Sequence, residues 1–315
     1  MARASIPDRI PPGRPAPELV DRSVTLADGR RVAYRELGHP AGFPVIALHG
    51  TPGSRLKYLS ASYTAERLGI RIIAPDRWGY GATDSHRTPS LRAYPPDICE
   101  LADRLGVDRF AVMGVSGGGP YATAIATSAP SRVTALALVA PVGPIYGEDD
   151  DEISAFHRLC FGALPNHPAA VAAIFGAFRG MLKVSPGVGM RMAMVRVAPV
   201  DRQALRVGDT ARLLGRTFVE GLRPGTAGPV TDMVLFGAPW GLELQLATMP
   251  SRVWLGTADR NVPRSAARRL AHRLPACTLV ELPQQGHLWI AHNYETVLGW
   301  LAELRQAVAA PPSHV

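Results

Sequence analysis

Met113-Gly114-Val115-Ser116-Gly117-Gly118-Gly119-Pro120 lies between an apolar run, Asp108-Arg109-Phe110-Ala111-Val112, and a run of small residues, Tyr121-Ala122-Thr123-Ala124-Ile125-Ala126. The first run reads as a strand and the second as a helix, so Gly-x-Ser-x-Gly falls at the bend between them. A serine held at such a bend has strained backbone angles, and the residues two before and two after it must lack bulk. Gly114 and Gly118 meet that need. The bend lifts the Ser116 hydroxyl clear of the sheet and aims the Gly117 N–H, at the start of the helix, towards an incipient oxyanion.

Outward from this point the chain alternates strand and helix. Upstream, Ser23–Leu26 and Arg30–Leu37 flank Ala27-Asp28-Gly29 as a hairpin, and strands follow at Pro44–Leu48 and Arg71–Pro75. Helices are expected at Ala61–Leu68 and Ala93–Leu105. Downstream come strands at Val133–Val139, Ser251–Gly256 and Thr278–Glu281, with helices at Ser265–Arg273 and Tyr294–Val308. Short, continuous apolar strands alternating with helices predict a mostly parallel sheet covered on both faces, an α/β fold. Between residues 143 and 247 the rhythm breaks into helix-like segments, which reads as a helical cap inserted between two strands. The expected organisation is an extended arm over 1–22, a core over 23–142 and 248–309, the cap over 143–247, and a tail over 310–315.

Composition limits the partners. The chain has 315 residues, 47% of them hydrophobic, and no apolar run reaches the roughly 18 residues of a membrane helix. The richest run, Ala169–Phe178, stops at Arg179. A net charge of +8 arises almost wholly from arginine, because Lys57 and Lys183 are the only lysines. Those arginines are dispersed and form no basic run, which argues against nucleic-acid binding. Cys99, Cys160 and Cys277 have neither disulfide nor metal-ligand spacing, and the N-terminus lacks the apolar core of a signal peptide. A cytoplasmic protein is expected, with a small-molecule substrate, no nucleic-acid or membrane partner, and no cofactor or metal. Oligomeric state is not readable.

Loops at one edge of a parallel sheet converge. Here they carry His49–Ser54, Ser116, Ala258-Asp259-Arg260 and Gln285-Gly286-His287. A serine hydroxyl is a poor nucleophile without a base, and histidine is the base whose pKa lies near neutrality. Asp259 and His287 each follow a strand, in the chain order Ser116, Asp259, His287. Asp84 and Asp232 are rival acids without so short a lead-in from a strand.

With these loops in place, the chain resembles the α/β-hydrolase fold superfamily over residues 23–308. The matching motifs are His49-Gly50-Thr51-Pro52-Gly53, Asp76-Arg77-Trp78-Gly79-Tyr80-Gly81, Gly114-Val115-Ser116-Gly117-Gly118, Gly256-Thr257-Ala258-Asp259 and Gly286-His287. The resemblance implies Ser116 as nucleophile, His287 as base and Asp259 as the acid that orients it. It also implies oxyanion donors from the backbone of Thr51 and Gly117, with His49, Gly50, Gly114 and Gly118 shaping the loops. The expected activity is a capped serine hydrolase acting on a small to medium, mainly apolar ester, thioester or lactone.

Alternatives stay open. Proline iminopeptidases are similar but carry His-Gly-Gly-Pro-Gly and a tryptophan after the nucleophile, from which Thr51 and Gly117 depart; the acidic run Asp149–Glu152 offers a site for an amino terminus. Carbon–carbon hydrolases, lyases and haloperoxidases share the triad, and a small-molecule receptor would use the same pocket. Met190, Met192 and Met194, with Trp240 and Trp289, are candidates either for pocket walls or for core packing.

Overall fold

Eight strands build one sheet in the order β1-β2-β4-β3-β5-β6-β7-β8 in the computed structural model, which describes residues 21–145, 153–195 and 197–309. The acidic run Asp149–Glu152, the tail over 310–315 and all but the last two residues of the N-terminal arm lie outside the described residues. Strands β1 (Arg22–Thr25) and β2 (Arg31–Gly38) form the expected hairpin, and β2 also runs antiparallel to β4 (Ile70–Pro75). The remaining pairings are parallel: β3 (Phe43–Leu48) with β4 and β5 (Phe110–Val115), then β6 (Val133–Val139), β7 (Ser251–Gly256) and β8 (Cys277–Leu282).

The two-residue period of the strands divides the core between the faces of this sheet. Ile46, Leu48, Val112, Leu136 and Leu138 enter one apolar cluster, together with helices α2 (Tyr94–Arg104) and α3 (Gly118–Ser128). Val45, Ala47, Ala111, Met113, Ala135 and Ala137 enter the other, which is closed by α1 (Ser62–Arg67) and a C-terminal helix at Tyr294–Ala309. Strands buried on both sides must be apolar throughout, which is why they read as unbroken runs. Strand order reverses at β3, which pairs with β4 on one side and β5 on the other. The loops after β3 and β5 therefore diverge and leave a crevice between them.

Between β6 and β7 the described residues form helices α4 (Ala155–His157) with a wide turn at Arg158–Ala163, α5 (Pro168–Val184), α6 (Pro186–Ala193), α7 (Pro199–Ala204), α8 (Thr210–Gly221) and α9 (Ala227–Phe236). Helices α5, α6 and α7 each begin with proline, whose missing N–H costs nothing in a first turn. Helix α8 packs on the 3-10 helix Arg55–Ala61 so closely that a Cβ on Gly221 would meet the carbonyl oxygen of Gly53. The insertion thus lies against the loop that follows β3. After β7, helix α10 (Arg264–Arg273) precedes β8, and the C-terminal helix already described is α11. Among the described residues no single helix is long and apolar enough to cross a membrane; Ala155–Asn166 and Pro168–Val184 would pass only together, and a bend of 116° separates them.

Candidate active site

Ser116 directly follows β5 with φ of +55°, a left-handed conformation that L-residues adopt rarely. Its backbone is held from three directions. Its N–H donates to Val139 O at 2.9 Å, and its carbonyl accepts from Gly119 N at 2.9 Å and Val142 N at 3.1 Å. The glycines around it are there for space: a Cβ on Gly114 would stand 2.7 Å from the Ala122 methyl, and one on Gly118 would meet the Leu48 carbonyl oxygen. Strain at this position is sustained by the fit of β5, α3 and β6 rather than by local preference.

His287 and Asp259 meet across the ends of β7 and β8. Nδ1 of His287 donates to Oδ2 of Asp259 at 2.8 Å. The other oxygen of Asp259 accepts the N–H groups of Asn261 at 2.7 Å and Val262 at 3.3 Å, which fixes the carboxylate before the imidazole arrives. This leaves the Nε2 side of His287 for the cavity that it lines together with Ser116. Burial pushes the pKa of His287 down, but the charge and hydrogen bond of Asp259, reinforced by the charge of Asp201, outweigh it and leave the value raised. The rival acids are engaged elsewhere. Asp84 accepts the N–H of Arg31 at 2.7 Å, and Asp232 is buried among other partners.

Those partners explain the loop after β3. Arg77 and Asp232 form a fully buried ion pair, with Arg77 Nη2 donating to Asp232 Oδ2 at 2.7 Å. Tyr80 OH at 2.6 Å, Tyr121 OH at 2.8 Å and Thr51 Oγ1 donate to the same carboxylate. Thr51 is therefore anchored by its side chain beside Gly117, where any Cβ would meet Thr51 Oγ1. Gly117 precedes α3, so its N–H is one of the donors that have no partner within the helix. His49 is fully buried: the N–H of Arg77 donates to its Nε2 at 3.0 Å, so Nδ1 carries the proton and donates to Gly50 O at 2.9 Å. Burial, helped by the Arg77 charge, holds its pKa well below the ordinary value. His49 is a neutral strut of the loop, with both nitrogens occupied.

Gly50–Gly53, Ser116 and His287 open on a cavity whose other walls include Met194, Val197, Leu214 and Phe218 from the insertion. Of the three clustered methionines, Met194 lines this cavity while Met192 is exposed. Trp240 is buried in one core cluster and Trp289 packs against the other.

A model of the alpha/beta hydrolase family matches residues 45–300 of this chain. The chain belongs to the alpha/beta hydrolase family. Its relatives within that family are varied. This hydrolase-family chain is 32% identical over 130 residues to a non-heme chloroperoxidase from Streptomyces lividans, covering 41% of this chain and 47% of that one. The chain thus matches under half the length of that curated relative. An alpha/beta hydrolase fold protein from Nakamurella multipartita superposes with a TM-score of 0.66 at 27% identity, over 92% of this chain and all of that one. A thermophilic esterase from Thermogutta terrifontis does so at 0.68 and 20% identity, over 92% and 100%, which speaks to fold alone.

Two residues of this alpha/beta hydrolase site have no counterpart in the sequence reading. Asp201, on α7, accepts the N–H of His287 at 3.1 Å and of Leu288 at 2.8 Å, and a Cβ on Gly286 would collide with its carboxylate. Nothing local marks Asp201, because its partners lie 86 and 87 positions away. Lys57 lines the cavity from the 3-10 helix after the Thr51 loop. A signal for it was present, since it is one of only two lysines.

Proposed function

We propose that this member of the alpha/beta hydrolase family is a serine hydrolase that cleaves a small to medium, mainly apolar ester, thioester or lactone beneath a cap formed by residues 143–247. The observation that carries this reading is the strained Ser116 sharing one cavity with the Asp259–His287 pair. Ser116 Oγ attacks the carbonyl carbon as Nε2 of His287 takes its proton. Asp259 keeps the imidazole in the tautomer with a free Nε2 and stabilises the imidazolium that forms. The N–H groups of Thr51 and Gly117 receive the oxyanion. As the tetrahedral species collapses, His287 returns the proton to the leaving oxygen or sulfur. Water, deprotonated by the same nitrogen, then attacks the acyl-enzyme and frees Ser116.

The lysine in the cavity wall, Lys57, repels the protonated amino terminus that a peptidase would have to hold there, and so favours an ester. The closeness of Gly117 to Thr51 leaves no room for the side chain that iminopeptidases carry after the nucleophile. The test is nitrophenyl esters run beside aminoacyl anilides, including the prolyl one. Ester turnover that vanishes in Ser116→Ala is the expected result. Rapid prolyl anilide cleavage with negligible ester turnover would replace this reading with a peptidase.

A further inference from the structure

Lys57 is a half-buried cation at the edge of the site. It lines the cavity that holds Ser116 and His287, and it also lines an adjoining cavity with Ser60, Thr210 and Thr217 in its wall. Both cavities share Lys57, Leu214, Thr217 and Leu288, so the lysine stands at their junction. The carboxylates around the site are committed elsewhere. Asp259 serves His287, Asp201 accepts two backbone N–H groups, Asp232 holds Arg77, and Glu220 accepts from Arg55 at 2.7 Å. Arg55, two positions before Lys57, makes the contrast plain, since Asp21, Asp76 and Glu220 all pair with it. Among the described residues no carboxylate pairs with Lys57, and burial alone pushes its pKa down to about 8. It therefore keeps its charge at neutral pH, and a bound anion would relieve the desolvation.

We propose that Lys57 is the anion-recognition residue of this site, and that the substrate is an ester whose apolar body carries a carboxylate which pairs with Lys57 while the ester carbonyl lies at Ser116. The inference rests on the hydrolase reading and adds a carboxylate to the mainly apolar ester proposed there. Leu213, Leu214 and Leu288 cover the apolar body, and Ser60, Thr210 and Thr217 lie in the same wall as Lys57.

The test is calorimetric binding of monomethyl adipate and dimethyl adipate to the full chain carrying Ser116→Ala, so that neither ester is consumed. The monoanion is expected to bind at least about ten-fold more tightly than the neutral diester, as a charge-assisted hydrogen bond supplies. Adding Lys57→Met should bring the two affinities within about two-fold of each other, and Lys57→Arg should restore part of the preference. Reading a ratio on one preparation keeps any loss of folded protein from imitating the result. Equal affinities with Lys57 intact, a preference that survives Lys57→Met, or no binding of either ester at millimolar concentration would overturn the proposal. If binding discriminates as expected but the chain with Ser116 intact hydrolyses neither ester, the anion site stands and the hydrolase reading falls.

Discussion

Asp259 does two things with its two oxygens: one is fixed by the backbone of Asn261 and Val262, the other holds His287. An amide at that position keeps the shape but offers Nδ1 the wrong partner. Asp259→Asn should therefore lower turnover by about 10⁴ while leaving the folded protein intact, checked by kinetics beside a melting curve. Near-normal activity would move the orienting role elsewhere. The second carboxylate, Asp201, acts on the same imidazole through its charge. Because the base must be neutral, kcat/KM should be lost as pH falls through the pKa of His287, with a midpoint above the ordinary histidine value of about 6.5. Removing the charge in Asp201→Asn should move that acid limb to lower pH. If the plateau drops and the limb stays in place, Asp201 only shapes the loop.

At the scale of elements, the insertion is tied to the sheet by side chains distant in sequence. Thr51 and Asp232 are 181 positions apart, and Arg77 and Asp232 are 155 apart. Removing one partner of a fully buried pair leaves the other charge uncompensated, so Asp232→Ala should destabilise the fold by about 3–5 kcal/mol in denaturant titrations. Asp84→Ala, at an exposed position, should change stability far less. Equal effects would mean that the Arg77–Asp232 pair does not hold α9 down. This network also marks where the sequence stops being readable. All eight strands are legible, the central ones because burial on both faces writes itself into short apolar runs such as Val133–Val139, and β1 and β2 through the Asp28-Gly29 turn between them. The turn at Ser116 is legible because its glycines are steric necessities. Asp232 reads only as a rival acid, since a carboxylate on a helix carries no local sign of a guanidinium 155 positions upstream. Asp201 is silent for the same reason.

For the molecule as a whole, the account is a crevice at the reversal of strand order, covered by helices that arrive from between β6 and β7. Apolar walls select by contact area, and each buried methylene contributes roughly 0.8 kcal/mol at most, about four-fold in kcal-to-rate terms. Across nitrophenyl esters of increasing chain length, kcat/KM should climb by up to that factor per carbon and then fall once the chain outgrows the space between Ser116 and the walls at Met194, Leu214 and Phe218. Equal rates along the whole series would contradict the proposed cap without bearing on the proposed roles of Ser116, Asp259 and His287.

The central claim is that Ser116 is the activated nucleophile, and fluorophosphonate labelling tests it most directly. The probe reacts with a serine only where a base takes its proton and donors receive the phosphoryl oxygen. With the label located by peptide mass spectrometry, one modified peptide spanning Ser116 is expected, with loss of both label and ester turnover in Ser116→Ala, the latter by about 10⁶. Labelling at another serine, or labelling and turnover that persist in Ser116→Ala, would contradict it.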